Sequence, residues 1–193
     1  MSADGIQLIV GLGNPGPEYD QTRHNAGFWF VERLAAREGA VFRKESRFLG
    51  EACKLQLEGR GIWLLKPMTF MNRSGQSVRQ FCDFYRIPPE AVLVAHDELD
   101  LPPGTVRLKQ GGGHGGHNGL RDLIRHIGAD FWRLRIGIGH PGHKDQVVDY
   151  VLHRASREEQ AQIDEAIDEA LSALPLIVRG EMQQAMNRLH SKR

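Results

Sequence analysis

The chain has 193 residues, of which 40% are hydrophobic and 25% are charged, and its formal net charge is +1. These values are typical of one globular domain with its own core, so we expect a single domain over residues 1–193. No apolar run approaches the roughly 18 residues of a membrane-spanning helix, and the N-terminus lacks the basic region of a secretory signal, which favours a cytoplasmic protein without membrane contact.

Apolar runs alternate with segments of helical spacing along the chain. The segments predicted as strands are 6–10, 48–57, 62–65, 91–95, 105–109 and 134–138. The segments predicted as helices are 22–38, 74–85, 118–126, 146–152, 157–178 and 182–189. Thr22 is expected to cap the first helix, Gly39 to end it, and Pro175 to bend or break the fifth. A basic tail, residues 190–193, follows the last helix.

Alternating strands and helices predict an α/β fold, a single domain with a twisted, mixed, mostly parallel central sheet flanked by helices. In open sheets of this kind, ligands bind beyond the carboxyl ends of the strands. Polar clusters follow four predicted strands, at residues 11–14, 96–97, 111–118 and 137–140. We therefore expect these clusters to form the functional site.

The glycine-rich stretch GLGNPG at 11–16 matches the G-x-G-x-x-G fingerprint of dinucleotide-binding proteins. However, Pro15 and Pro17 lack the backbone N–H groups that would bind a pyrophosphate. The acidic residue expected at the end of the second strand has only Glu32 as a candidate, and Glu32 lies in a helical pattern. A tight turn that presents the side chain of Asn14 fits the stretch better.

His24 lies between Arg23 and Asn25 at the predicted start of a helix. A positive charge there opposes the helix dipole, so the position favours a neutral imidazole, the form that a general base requires. Asp97 could orient this imidazole, as the aspartate does in catalytic triads. The alternatives are a surface histidine that satisfies the first turn and an aspartate in a turn or cap. Without a serine or cysteine at a strand-to-helix elbow, an activated water is the expected nucleophile.

Two histidines and three asparagines are further candidates. The pair His114-x-x-His117 resembles metal ligands, but the glycines around it favour a loop shaped for close approach of a substrate backbone. Asn118 could cap the following helix, hold a substrate amide, or do both, and Asn72 has the same alternatives. Together with Asn14, these amides would suit a neutral polar substrate such as a peptide group.

The charge is unevenly distributed. Residues 106–144 hold seven Lys or Arg against two acids, a local net charge of +5, together with five histidines. Such a segment could bind phosphate, but charge alone does not decide this. Cys53 and Cys82 lie in apolar stretches without disulfide or zinc spacing, so we expect two reduced thiols in the core.

Six motifs in a fixed order resemble those of the bacterial-type peptidyl-tRNA hydrolases, and the resemblance covers nearly the whole chain. The motifs are VGLGNPG (10–16), YxxTRHNxG (19–27), KPxTFMNxSG (66–75), HDELD (96–100), GGxxGHNGL (112–120) and RIGIGHP (135–141). The resemblance implies a monomeric α/β hydrolase that cleaves the ester between a peptide and the terminal ribose of tRNA, without metal or cofactor.

The resemblance also implies roles for individual residues. It makes His24 the catalytic base with Asp97 orienting it, while Asn14 and Asn72 position the ester and water, and Asn72 contacts the developing oxyanion. The residues that it assigns to the substrate channel are Tyr19, Met71 and Asn118. Those that it assigns to tRNA are Lys109 and Arg135 at the terminal phosphate, and Lys144 with His117 nearby.

Two other functions remain as alternatives. In the first, the chain is an RNA-binding module without catalysis, whose basic glycine-rich loop holds tRNA while His24 and Asp97 are structural. In the second, more distant alternative, the chain is a dinucleotide-dependent enzyme.

Overall fold

The computed structural model describes residues 5–190 of the chain. The first four residues of the N-terminus, for which we expected no secretory signal, lie outside the described residues. So do residues 191–193 of the basic tail.

Within the described residues, one sheet contains the seven strands β1 (Leu8–Gly11), β2 (Arg43–Glu45), β3 (Gly50–Leu57), β4 (Arg60–Pro67), β5 (Val92–Glu98), β6 (Val106–Gln110) and β7 (Trp132–Gly137). Their order across the sheet is β2-β3-β4-β1-β5-β7-β6. The four strands from β4 to β7 in that order are parallel, and the pairs β2–β3, β3–β4 and β6–β7 are antiparallel. The predicted mixed, mostly parallel sheet is confirmed.

Helices cover both faces of the sheet. They are α1 (Ala26–Arg37), α2 (Ser74–Tyr85), α3 (Asn118–Ile127), α4 (Val147–Val151), α5 (Arg157–Val178) and α6 (Met182–His190). Apolar side chains of α1, α5 and α6 pack on one face against strand residues such as Leu93 and Leu134. Those of α2 and α3 pack on the other face against Val10 and Val94. Successive strand residues point to opposite faces, so each strand contributes to both cores.

Three features of the fold differ from the sequence prediction. Strand β2 was not predicted, because its residues RKE are all exposed and carry no apolar alternation. Strand β5 continues beyond the predicted end to Glu98, so that His96 and Asp97 belong to the strand itself. Pro175 lies inside a continuous α5, so the predicted bend or break is wrong as far as a break is concerned; the proline removes only the hydrogen bond that its own N–H would donate.

The start of the first helix also differs. A 3-10 turn, Arg23–Asn25, precedes α1, which begins at Ala26. The predicted cap by Thr22 is wrong, because its hydroxyl donates to the carbonyl of Tyr19, 2.9 Å away, instead of accepting from the helix. His24 therefore lies in a tight turn just ahead of the helix.

Two glycines explain why this turn comes so close to β5. A Cβ atom on Gly27 would lie 2.3 Å from the carbonyl oxygen of Ala95, and one on Gly11 would lie 2.4 Å from the carbonyl oxygen of Gly27. Any side chain at either position would push α1 away from the sheet. The glycines of the two motifs thus bring His24 to the carboxyl end of β5.

Both cysteines, Cys53 and Cys82, are buried free thiols, as predicted. Among the helices of residues 5–190, none combines the length and the apolar character that crossing a membrane would require.

Candidate active site

An open cleft of about 260 Å³ lies at the carboxyl ends of β1 and β5. Predicted site residues that line it are Asn14, His24, Met71, Asn72, Asp97, His117 and Asn118. Three of the four predicted polar clusters contribute to the cleft. The fourth, residues 137–140, does not line it, so the prediction that all four meet there is wrong.

The loop of residues 111–118 reaches the cleft by a route that the strand-end rule did not foresee. Strand β6 is antiparallel to β7, and its last residue Gln110 lies opposite Trp132, at the amino end of β7. The loop therefore runs back along the sheet before His117 reaches Asp97. The buried guanidinium of Arg133 supports this path by donating to the backbone carbonyls of Gly112, Gly113 and Ala129.

Asp97 lies between two histidines at the end of β5 and is 3% exposed. Its Oδ2 is 2.8 Å from Nδ1 of His24, and its Oδ1 is 2.8 Å from Nε2 of His117. Burial alone would raise the pKa of Asp97, but the charges and hydrogen bonds of the two histidines lower it well below its usual range. Asp97 is therefore a carboxylate that accepts from both rings.

The proton position on His117 follows from its other ring nitrogen. Nδ1 accepts from the backbone N–H groups of Gly119 and Leu120, at 3.1 and 3.2 Å. Nε2 must then carry the proton that it donates to Asp97. His117 is thus the N-cap of α3, and the predicted cap by Asn118 is wrong; Asn118 is the first residue of the helix.

The proton position on His24 follows in the same way from its partner. Its Nδ1 faces a carboxylate and so carries a proton, which leaves the lone pair of Nε2 available to the cleft. Burial alone would lower the pKa of His24, but the charge and hydrogen bond of Asp97 raise it above 6.5. We predicted that the helix dipole would favour the neutral ring and so lower the pKa of His24. That direction is wrong, because Asp97 is closer than the helix and carries a full charge.

His96 is a third histidine at the cleft, and sequence reasoning gave it no role of its own. Its ring is 1% exposed, and its Nδ1 donates to the carbonyl of Asp97 at 2.8 Å. Burial is the main cause that lowers its pKa to about 3. His96 is therefore neutral and packs edge-on against His117, with ring centroids 5.1 Å apart.

Asn14 is oriented by three hydrogen bonds. Its Oδ1 accepts from the backbone N–H of Met71 at 2.7 Å, so the Nδ2 group remains as a donor at the cleft. Its backbone is clasped by the side chain of Asn25, which accepts from Asn14 N at 2.9 Å and donates to Asn14 O at 3.0 Å. Asn25, the third polar residue of the Arg-His-Asn cluster, thus holds the backbone of Asn14 in place. Asn72 and Asn118 are exposed at the rim.

Tyr19 is not among the residues that line the cleft. Its ring meets Phe70 edge-on, with centroids 6.3 Å apart, and Phe70 lines the rim with 59% of its surface exposed. Tyr19 therefore contacts Phe70 at the rim but does not line the cleft itself. Sequence reasoning assigned no role to Phe70.

The predicted phosphate ligands lie beside the cleft, not in it. Lys109 pairs with Arg133 and Arg107 with Arg135 across β6 and β7, and paired residues share one face of a sheet. Nε of Arg135 donates to Oε1 of Glu98 at 2.9 Å, and Glu98 lines the cleft. This leaves the terminal nitrogens of Arg135 for an anion. Lys144 is exposed in the 3-10 turn Lys144–Gln146 that precedes α4.

Only one group in residues 5–190 has the composition of a metal site, namely His24, Asp97 and His117. Both histidine nitrogens that face Asp97 carry protons, and His117 uses its other nitrogen as a helix cap. A cation would have to displace both protons, so this donor set suits hydrogen bonding better than metal binding. His114 accepts from Gly116 N at 2.9 Å and does not join the group.

Helix α4 forms an apolar wall of the cleft, which sequence reasoning did not place there. Its contribution comes from Val147, Val148 and Val151, followed by Leu152. The helical spacing of this segment is visible in the sequence, but its position depends on contacts with the turn at Arg23, which lies far away along the chain.

Known proteins resemble this chain over nearly its whole length. The family described as Peptidyl-tRNA hydrolase matches residues 8–193. The chain is 60% identical over 186 residues to the peptidyl-tRNA hydrolase of Acinetobacter baylyi, covering 96% of each protein. It is 58% identical over 193 residues to the protein of that name from Aromatoleum aromaticum, covering 100% of this chain and 97% of that one.

Solved structures give the same result. The crystal structure of peptidyl-tRNA hydrolase from Acinetobacter baumannii matches with a TM-score of 0.97 and 57% identity, covering 100% of this chain and 98% of that chain. A purine nucleoside phosphorylase from Toxoplasma gondii matches with a TM-score of 0.51 and 7% identity, which shows a related fold alone.

Proposed function

The chain belongs to the peptidyl-tRNA hydrolase family, and we propose that His24, oriented by Asp97, is the base with which it hydrolyses the ester between peptide and tRNA. The observation that carries this proposal is the 2.8 Å bond from His24 Nδ1 to a buried carboxylate, which leaves Nε2 free at the cleft. A non-catalytic RNA-binding module would not require this arrangement.

The first step is the activation of water. Nε2 of His24 takes a proton from a water molecule, and the resulting hydroxide attacks the carbonyl carbon of the ester. Asp97 keeps its bond to Nδ1–H and stabilises the imidazolium that forms. The electron pair of the C=O bond moves to oxygen, which gives a tetrahedral oxyanion. The chain itself forms no covalent bond with the peptide.

The second step is the collapse of this intermediate. Asn14, with its free Nδ2 donor, and Asn72 at the rim stabilise the oxyanion, and in other acyl-transfer enzymes the loss of one such donor costs about 10²–10³ in rate. The C–O bond to the terminal ribose breaks, and the imidazolium returns its proton to the ribose oxygen. Free tRNA and the peptide acid are the products.

The remaining predicted residues take roles around this centre. Met71 and Asn118 line the channel for the peptide, and Tyr19 supports Phe70 at its rim. Lys109, Arg135 and Lys144 bind tRNA phosphates. The contacts of His117 favour a role behind Asp97 rather than in direct tRNA contact. We expect a cytoplasmic, monomeric, single-domain enzyme over residues 1–193 that needs no cofactor.

The pH dependence of hydrolysis tests the assignment of the base. Because His24 works as the neutral ring and Asp97 raises its pKa, we expect kcat/KM to fall on the acid side, with a midpoint above 6.5. Activity falls at low pH because lowering the pH through this pKa protonates Nε2, which then cannot accept a proton from water. The measurement is kcat/KM for an N-blocked aminoacyl-tRNA across the pH range. A midpoint at or below 6.5 would contradict the coupling to Asp97.

Phosphate binding is tested by Lys109→Ala and Arg135→Ala. These side chains lie beside the cleft, so we expect KM to rise about tenfold while kcat stays nearly unchanged. The slope of log(kcat/KM) against log[salt] should also decrease by about one for each removed contact. Arg79→Ala on α2, which removes an exposed cation paired with Asp83, is the matched control. Loss of kcat at unchanged KM would exclude the phosphate role.

The RNA-binding alternative predicts a different product on a gel. An enzyme releases free tRNA from N-blocked aminoacyl-tRNA, whereas a binding module shifts the substrate and leaves it intact. The family and the named relatives do not favour this alternative. The dinucleotide alternative is disfavoured as well, because Glu32 lies on α1 and pairs with Lys66 instead of standing at a strand end.

A further inference from the structure

The Arg-His-Asn cluster contains one residue that the hydrolysis scheme does not use. Arg23 directly precedes His24, is 8% exposed, and carries a charge that is costly to bury without partners. Its Nε has no hydrogen-bond partner within the described part of the chain. A buried arginine at this position therefore requires an explanation other than catalysis or solubility.

Most side-chain contacts of Arg23 lead to one segment, the end of α4 and the turn after it. Its Nη1 donates to the carbonyls of Tyr150 at 2.8 Å and His153 at 3.4 Å. Its backbone N–H donates to the same His153 carbonyl at 3.0 Å. Its guanidinium lies 3.7 Å from the centroid of the Tyr150 ring, and Nη2 is 3.6 Å from Glu159 on α5.

Helix α4 cannot hold its own position. It has five residues, fewer than an isolated helix needs for stability, so contacts outside the helix hold it in place, including the packing of Val151 in the core. Arg23 donates to the carbonyl of Tyr150 in α4 and to that of His153 in the turn after it, and the Tyr150 hydroxyl adds a second tie by donating to the carbonyl of Ile138 at 2.7 Å. The place of α4 therefore depends on this packing together with the hydrogen bonds of Arg23 and Tyr150.

The opposite side of α4 faces the cleft. Val148 is 69% exposed and Leu152 is 37% exposed, although both are apolar and both line the cleft. Leu99 and Leu120 add further apolar surface to the same cleft. Exposed apolar side chains that converge on a cleft are typical of a surface that is covered when a ligand binds.

We propose that Arg23 is a positioning residue, which holds α4 so that Val148 and Leu152 contact the aminoacyl side chain next to the ester. The inference rests on the proposed function, because it assumes that the ester lies beside His24. It assigns to the Arg-His pair two separate tasks: His24 moves the proton, and Arg23 fixes the apolar wall across which the peptide lies.

The test compares two substrates in steady-state hydrolysis, N-acetyl-phenylalanyl-tRNA and N-acetyl-glycyl-tRNA. In Arg23→Met, which keeps the volume and removes the donors, we expect KM to rise about tenfold for the phenylalanyl substrate and about threefold at most for the glycyl substrate. We expect kcat to change little, because the bond between His24 and Asp97 does not involve Arg23. Arg23→Lys, which can still donate to the carbonyls, should restore part of the loss.

Arg33→Met is the matched control. Arg33, on α1, likewise donates to a backbone carbonyl of another helix, that of Asp164 at 3.0 Å, but it does not line the cleft. We expect this variant to show the wild-type KM for both substrates. Should Arg23→Met fail to fold, Tyr150→Phe removes only the tie to Ile138 and should raise KM for the phenylalanyl substrate alone, by a smaller factor.

Two results would overturn the inference. One is a KM for the phenylalanyl substrate that matches Arg33→Met; the other is a fall in kcat at unchanged KM, which would mean that Arg23 acts on His24 and not on α4. Failure of the proposed base would appear elsewhere, as the absence of the acid limb in the wild-type pH profile. The ratio of the two KM values does not depend on which group removes the proton.

Discussion

His24→Ala should lower kcat about 10³-fold, in the middle of the range that general-base catalysis contributes. The variant loses the lone pair that faces the cleft, and neither His117 nor His96 beside it can replace it. His117 uses both ring nitrogens, and His96 is buried with its Nδ1 bonded to a carbonyl. KM should change little, because the phosphate contacts lie elsewhere. Single-turnover hydrolysis of an N-blocked aminoacyl-tRNA measures the chemical step directly.

His126→Ala is a suitable control for this experiment. His126 is on α3, where its ring faces Asp122, and it does not line the cleft. Thermal unfolding of both variants shows whether they remain folded. If folded His24→Ala hydrolyses the substrate at nearly the wild-type rate, His24 is not the base.

The individual parts of the site were predictable from sequence because each has a local signal. Strand β1 ends in a glycine turn that presents Asn14, and β5 is an apolar run with His96 and Asp97 at its end. An α/β sheet brings such ends together. The proximity of His24 to Asp97 also has a sequence signal, since Gly11 and Gly27 are the residues that allow α1 to approach the sheet.

The parts that were not predictable depend on contacts between distant segments. The direction of β6 decides where the loop of residues 111–118 begins, and no local pattern separates an antiparallel edge strand from a parallel one. His117 caps α3, and the position of its ring is set by its contact with Asp97, which is 20 residues away in sequence. The apolar wall at α4 is likewise held by Arg23, more than 120 residues away.

Asp97→Asn should lower kcat about as strongly as His24→Ala, by about 10³-fold, because an asparagine in this position forces the wrong tautomer. A carboxylate accepts from both histidines, whereas an amide offers one acceptor and one donor group. The N-cap bonds from Gly119 and Leu120 hold the proton of His117 on Nε2, so the amide oxygen must face His117. The amide N–H then faces Nδ1 of His24 and moves its proton to Nε2.

The loss in Asp97→Asn therefore depends on His117, which distinguishes it from a simple loss of charge. In the double variant Asp97→Asn/His117→Ala, the amide can rotate and offer its oxygen to His24 Nδ1, which frees Nε2 again. We therefore expect the double variant to be several-fold more active than Asp97→Asn alone, although His117→Ala by itself lowers activity and removes a helix cap that contributes about 1 kcal/mol. A double variant whose losses simply add would show that the carboxylate acts through its charge, and that the helix cap at His117 has no part in setting the tautomer of the base.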